Sequence, residues 1–286
     1  MNGTSEQVEK ILGSISIPPC PAVLLSIMQE VKKDEPDANS IVNLVSNDAA
    51  LSASVLKLVN SSAFRRDGSI GSIRQAVSVL GFRKVLLAVN ALFLRNSVAA
   101  VPPRTKSQLE KFWDKSGCTA EAAMTLASML PGISSEDAFT IGLFHDSGIP
   151  VLMQRFPDHP FQDDEYGTDW DAIHKLEDER LGTNHAVVGN MFARNWGLPA
   201  HICQTILHHH DATIFLGDQI SSEVQNFTAV LILAEHLVGI FMTHEDEANM
   251  GRLPFHTRAM RHLGLEYDEF NDMALDVLGE LRLSRS

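Results

Sequence analysis

Apolar residues recur at three- and four-residue spacing along most of the chain. SIMQEVKKDE (26–35), SIVNLV (40–45), LSASVLKLVN (51–60), IRQAVSVL (73–80) and RKVLLAVNALFL (83–94) each lay an apolar stripe along one helical face. Starts and stops agree with that reading. Asp37 stands at the head of one helix, Ser134 and Asp137 have the spacing of a capping box, and Gly68 and Gly81 punctuate the middle. No stretch alternates convincingly with the two-residue period of a strand, and no low-complexity tract or clear repeat stands out. The pattern predicts an all-α protein of about a dozen helices. AAVPPRTKS (99–107) carries a proline pair between two helical blocks, which places a boundary near residue 103 and divides the chain into lobes 1–103 and 104–286. FPDHPFQDDEYGTDWD (156–171) is acidic, with two prolines and a glycine, and reads as a surface loop.

Several ionisable residues interrupt these apolar stripes. In HAVVGNMFARNW (185–196), His185 lies on the inward face of Val188 and Phe192. In ICQTILHHHD (202–211), His209 and His210 continue the stripe of Ile202 and Ile206. In VLILAEHLVG (230–239), Leu231 and Val238 flank Glu235. Ile141 stands four residues before His145, and Asp146 adjoins it. An isolated buried carboxylate costs several kcal/mol even after relaxation, so groups like these need partners. Two arrangements satisfy them: separate hydrogen-bonded core residues, or convergence around a metal or in one hydrogen-bonded cluster. Nitrogen and oxygen donors without thiolate suit Fe, Mn, Zn or Mg better than a structural zinc knot. His159, His174, His201, His236, His244, His256 and His262 lie on no such stripe and read as surface or incidental positions.

Composition narrows the setting. The chain has 286 residues, 44% hydrophobic and 21% charged, with a formal net charge of −13. That sign disfavours a large nucleic-acid footprint or an anionic membrane surface. Arg65, Arg66, Arg74, Arg83 and Lys84 form a local basic exception, most simply a solvated face. Cys20, Cys118 and Cys203 are odd in number and far apart, without a disulfide framework, which suits a reducing cytoplasm. The N-terminal MNGTSEQVEK lacks the charge and apolar run of a signal peptide. FTAVLILAEHLVGIFM (227–242) is long and apolar, but Glu235 and His236 at its centre argue for a buried core helix.

IPPCPAVLLSIM (17–28), NDAALSASVLKLVNSSAF (47–64) and SIGSIRQAVSVLGFRKV (69–85) resemble the HDOD domain, a relative of the HD and HD-GYP phosphohydrolases. The resemblance continues through FW (112–113), AFTIGLFHDSGIPVL (138–152), HAVVGNMFARNWGLP (185–199), ILHHHD (206–211) and LILAEHLVG (231–239), covering about residues 10–245. It implies a two-lobed helical bundle, an N-terminal HDOD-type lobe followed by an HD-like lobe. HD-type enzymes bind divalent metals and hydrolyse phosphate esters. By position, the resemblance implies metal ligands at His145, Asp146, His185, His209 and His210, with Glu235 where a late Asp stands.

The chain departs from the enzyme pattern at several points. Lys115 occupies the place of the first ligand histidine, and an ammonium repels a divalent ion. Ile149 replaces the lysine that follows HD in HD-GYP enzymes, no GYP-type motif follows His210, and Ala49 replaces a proline. The leading expectation is a cytoplasmic signalling or regulatory module whose altered site works by binding a signalling protein or a small phosphorylated ligand. In it, Lys115 pairs with Asp146 in place of a metal. The alternative is a metal-dependent phosphohydrolase in which Asp146 is catalytic. The cofactor is accordingly a divalent ion (Fe, Mn, Ni, Zn or Mg) or none. Separately, Arg65 and Arg66 near the Asp67–Gly68 turn read either as a docking point for an acidic partner or a phosphorylated segment, or as a plain interhelical loop.

Overall fold

The computed structural model describes residues 11–60, 69–98, 106–159, 170–211, 213–217, 219–243 and 254–285, and the regular structure among them is helical throughout. The chain groups into two compact units. One comprises residues 19–97 and 279–286, the other residues 1–18 and 98–278. The proline pair near residue 103, Arg65, Arg66 and Gly68 lie outside the described residues, as do residues 160–169 of the acidic segment.

The smaller unit is built on α1 (Ala22–Val31), α2 (Ala38–Ser46), α3 (Ala49–Val59) and α4 (Ile73–Ser97). The Asp37 carboxylate caps α2, accepting from the backbone N–H of Asn39 and Ser40 at 2.9 and 3.2 Å. Asp48 caps α3 in the same way, through Ala50 and Leu51. These bonds satisfy donors that the first helical turn otherwise leaves unpaired. Ala49 is therefore the first residue of α3, where proline is tolerated but not needed, so its departure from the family pattern does not disturb the fold. Asn60 holds the next segment: its side chain donates to the carbonyls of Leu56 and Ile70 and accepts from the Ile70 N–H at 2.7 Å. Gly81 breaks α4, with φ 80° and ψ 159°, a conformation that costs other residues a steric penalty. Leu24, Ile27, Ile41, Val45, Val55 and Val85 are fully buried in the core of this unit. Arg74 and Arg83 are exposed, and Arg74 donates to the Asn39 side chain at 2.7 Å.

The larger unit carries α5 (Lys106–Met129), α6 (Ser135–Phe144), α7 (Gly148–Arg155), α8 (Trp170–Leu181), α9 (His185–Asn195), α10 (Ala200–His208), α11 (Ser222–Thr243) and α12 (Pro254–His262). A last helix, α13 (Tyr267–Arg285), begins in it. Ser134 caps α6 by accepting from the Asp137 N–H at 3.2 Å, while the Asp137 carboxylate turns to His201 instead of closing the box. Phe144, Phe192 and Trp196 form an edge-to-face cluster with centroids 5.0–6.2 Å apart. The Trp196 indole donates to the Pro18 carbonyl at 3.0 Å and ties the N-terminal segment to this core. The apolar run in α11 is core, as its central polar residues suggest: Leu231, Leu233, Ala234, Leu237 and Val238 are all buried.

Candidate metal centre

The dipeptide His145–Asp146 sits in the break between α6 and α7. Two glycines bracket it and set its surroundings. A Cβ on Gly142 would lie 2.7 Å from the Ala120 Cα, so its absence lets α6 press against α5. A Cβ on Gly148 would lie 2.1 Å from the His185 carbonyl oxygen, so its absence lets α7 press against the start of α9. The flanking glycines therefore bring Lys115 on α5 and His185 on α9 to the same two residues.

Seven side chains predicted from sequence meet here: Lys115, His145, Asp146, His185, His209, His210 and Glu235. They divide around the two oxygens of Asp146. Oδ2 faces the Lys115 ammonium at 3.4 Å and the His145 Nε2 at 2.9 Å. Glu235 Oε1 completes this half, 3.4 Å from Lys115 and 3.3 Å from His145. Oδ1 faces the Nε2 atoms of His185 at 3.4 Å and His209 at 3.6 Å. His210 joins that half, its Nε2 lying 2.9 Å from the His185 Nε2. His145, Asp146, His185 and His209 are buried, and the Lys115 side chain is 9% exposed. Glu235, at 20%, and His210 lie nearer solvent.

The histidines are oriented from behind. His145 Nδ1 lies 2.8 Å from the Gly142 carbonyl, and His209 Nδ1 lies 2.7 Å from the Ile206 carbonyl. A carbonyl oxygen only accepts, so Nδ1 carries the proton in both rings. His185 donates its backbone N–H and its Nδ1–H to Glu177 Oε2, at 2.7 and 2.6 Å. Each Nε2 is thereby turned inward, as in metal-ligating histidines: that of His209 towards Asp146 Oδ1, that of His145 towards Asp146 Oδ2, and that of His185 towards His210.

Glu177 is the site residue that the sequence pattern alone does not single out. Its signal is present, because it follows buried Ile173 by four residues on α8, the same register that marks the other groups. His159 and His174 correct the reading that placed them at incidental positions. His159 is fully buried and lies 2.8 Å from Glu177 Oε1. His174 packs its ring against His185 and His210, with centroids 5.5 and 4.7 Å away. The acidic composition around residue 159 hides the first, since the partner that buries it is contributed by α8. His201 and His262 hydrogen-bond to Asp137 and Asn226, His236 packs against His256 with the rings tilted by 36°, and His244 lies outside the described residues. Ile149 is wholly buried as the second residue of α7.

As protein groups alone, the cluster shifts its own charges. Burial pushes His145 down, but the carboxylates of Asp146 and Glu235 outweigh it and hold the imidazolium up to about 10. Burial pushes Asp146 up, and the charges of His145 and Lys115 overcome it, keeping the carboxyl well below its usual range; Glu235 is lowered by the same two partners. Glu177, also opposed by burial, is held down at about 2 by His185 and His159. His185 is raised because Glu177 outweighs its burial, whereas burial lowers His209.

The donor set fits a divalent ion on the Oδ1 side. His209 Nε2 and Asp146 Oδ1 are buried without a hydrogen bond, as expected of atoms that bind a ligand other than a protein group. Asp146, His185, His209 and His210 each offer one donor atom, all within 4.8 Å of one another. Ligands about 2.0–2.1 Å from a tetrahedral ion stand roughly 3.4 Å apart, near the 3.4 and 3.6 Å that separate Asp146 Oδ1 from His185 and His209.

A family model for the HDOD domain matches residues 17–212. An uncharacterized protein of Treponema pallidum (strain Nichols) is 27% identical over 212 residues, covering 72% of this chain and 40% of the relative. The chain thus spans less than half the length of that curated relative. Among solved structures, an HDOD-domain protein of unknown function from Geobacter sulfurreducens superposes with a TM-score of 0.74 at 21% identity, covering 98% of this chain and 95% of the other. A candidate phosphohydrolase from Shewanella amazonensis superposes with a TM-score of 0.73 at 21% identity, covering 99% and 97%. These two likenesses establish the fold.

Proposed function

The chain belongs to the HDOD domain family, and from that premise we propose that it is a signalling or regulatory module that binds a partner protein or a small phosphorylated ligand without hydrolysing it. One observation carries this reading: the Lys115 ammonium stands 3.4 Å from both Asp146 and Glu235, where a metal-binding histidine would complete an enzyme's first ion site. A divalent ion about 4 Å from that ammonium would meet a repulsion of roughly 8 kcal/mol at an effective dielectric constant near 20. The Oδ2 half of the cluster is therefore closed to a second metal, and two-metal hydrolysis has lost one of its ions. The free thiols of Cys20, Cys118 and Cys203 support action in the cytoplasm.

The unpaired donors around Asp146 Oδ1 favour a second reading, a metal-dependent phosphohydrolase using one ion. Asp146, His185, His209 and His210 would hold that ion, which when bound would supply Lewis acidity and a lower pKa for water. In this reading Asp146 holds the metal, Glu177 and the Ile206 carbonyl fix the imidazole tautomers, and Lys115 stabilises phosphate charge.

A hydrolysis assay separates the two. Protein purified without chelator is supplied with Mn2+, Fe2+, Zn2+ or Mg2+ and incubated with generic phosphate monoesters and diesters. The regulatory reading expects no turnover above that of Asp146→Ala. Turnover that Asp146→Ala abolishes would establish the enzyme instead.

A further inference from the structure

We infer that the pocket holds one divalent ion per chain and not two. The ion sits on the Oδ1 side of Asp146 among His185, His209 and His210, while Lys115 serves as a built-in cation on the Oδ2 side. The inference deepens the reading of this cluster as a binding site; geometry carries it, and charge sets the limit of one ion.

Charge allows at most one added ion. Asp146, Glu177 and Glu235 bring three carboxylates to the cluster, and Lys115 brings one ammonium. Even with every imidazole neutral, one divalent ion balances this set, and a second would leave an excess of two positive charges beside the ammonium in a largely buried space.

Geometry assigns the ion to one half. On the Oδ2 side, Lys115 already faces both carboxylates, at 3.4 Å each. On the Oδ1 side the groups in reach are imidazoles, His185 at 3.4 Å and His209 at 3.6 Å, and both Asp146 Oδ1 and His209 Nε2 are buried there without a hydrogen bond. The His185 Nε2 and His210 Nε2 atoms share a hydrogen bond at 2.9 Å, which ligation of one ion by both rings would replace. Three imidazoles with one carboxylate select a borderline divalent ion such as Mn2+, Fe2+ or Zn2+ over Ca2+.

Mn2+ alone is the probe, because its electron paramagnetic resonance distinguishes an isolated ion from a coupled pair. The full chain is stripped with chelator, reloaded, dialysed and analysed for metal. The parent is expected to retain one Mn2+ per chain with the spectrum of an isolated ion. His210→Ala, at a partly exposed position, is expected to weaken the affinity at least tenfold while circular dichroism stays unchanged. Lys115→His removes the competing charge and adds a ligand, so its content should rise towards two with a coupled spectrum. Two ions in the parent, none in the parent, parent-like affinity in His210→Ala, or a single ion in Lys115→His would each overturn the inference. The parent's stoichiometry needs no variant to fold. A one-ion protein that hydrolyses esters would refute the regulatory reading and leave this one standing. An ion-free protein without turnover would do the reverse.

Discussion

Replacing Gly148 with alanine sets two effects of opposite sign against each other. Gly148 is the first residue of α7, and alanine is favoured over glycine within helices by up to about 1 kcal/mol. The new Cβ would lie 2.1 Å from the His185 carbonyl oxygen and 2.8 Å from both the His185 carbonyl carbon and the Gly189 nitrogen. Carbon and oxygen normally touch no closer than about 3.3 Å, so α7 and α9 must part by roughly 1 Å. All three obstacles are backbone atoms, and no side chain can swing aside. Overpacking of this kind costs about 1–3 kcal/mol, and a backbone clash belongs at the upper end. The expected net loss is on the order of 2 kcal/mol, read in a urea titration as a midpoint about 1 M lower. The same displacement pulls His185 away from Asp146 Oδ1, now 3.4 Å distant, so Mn2+ affinity should fall about tenfold as oriented ligands come apart. Gly239→Ala is the control: it lies in α11, is exposed, and its new methyl group would meet nothing within 4 Å, so it should gain about 0.5–1 kcal/mol. A Gly148→Ala protein as stable as the parent, with undiminished Mn2+ affinity, would refute the argument that this close approach builds the site.

Four further outcomes follow from the structure. Glu177→Gln keeps one accepting oxygen where His159, the His185 ring and the His185 N–H now share two, so a denaturant titration should show a loss of about 1–3 kcal/mol and calorimetry a 10–100-fold weaker Mn2+ affinity; parent-like values in both would remove Glu177 from its supporting role. In metal-free protein, Glu177 is lowered from 4.5 to about 2, so its contribution to stability is present above pH 4.5 and is lost as pH falls towards 2. His145 is raised from 6.5 to about 10, so its contribution is present below pH 6.5 and is lost as pH rises through 10; a melting temperature that stays flat from pH 6.5 to 10 would contradict that assignment. Trp196→Phe keeps the aromatic packing but strands the Pro18 carbonyl, and should cost about 1 kcal/mol in urea and speed proteolysis near residue 18; unchanged cleavage would show that the indole bond does not anchor this segment.

Helix type and the main inward faces are legible because a 3.6-residue period records which side of a helix meets the core. That is why Ile141, Val188, Ile206 and Leu231 point to the register of His145, His185, His209 and Glu235. Asp37 is legible as a cap from its place alone. What the pattern cannot carry is distance between elements. Gly142 and Gly148 are small residues in an apolar run until α5 and α9 are set against them. Glu177 has the same register as the other site groups, but it lies in a charged helix, WDAIHKLEDERL, whose many acids disguise the one that is buried. Lys115 is located through the family pattern and not through periodicity. Its pairing with two carboxylates depends on residues 31 and 120 positions away.

The break at Gly81 bears on where α4 could reside. By length and hydropathy Ile73–Ser97 could cross a lipid bilayer, whose hydrocarbon layer is about 30 Å thick. The glycine divides it into arms of roughly 12 and 24 Å at 1.5 Å per residue, and neither arm alone reaches from one headgroup layer to the other. A hydropathy plot therefore overstates this segment: it reports one greasy rod where the backbone has built an elbow.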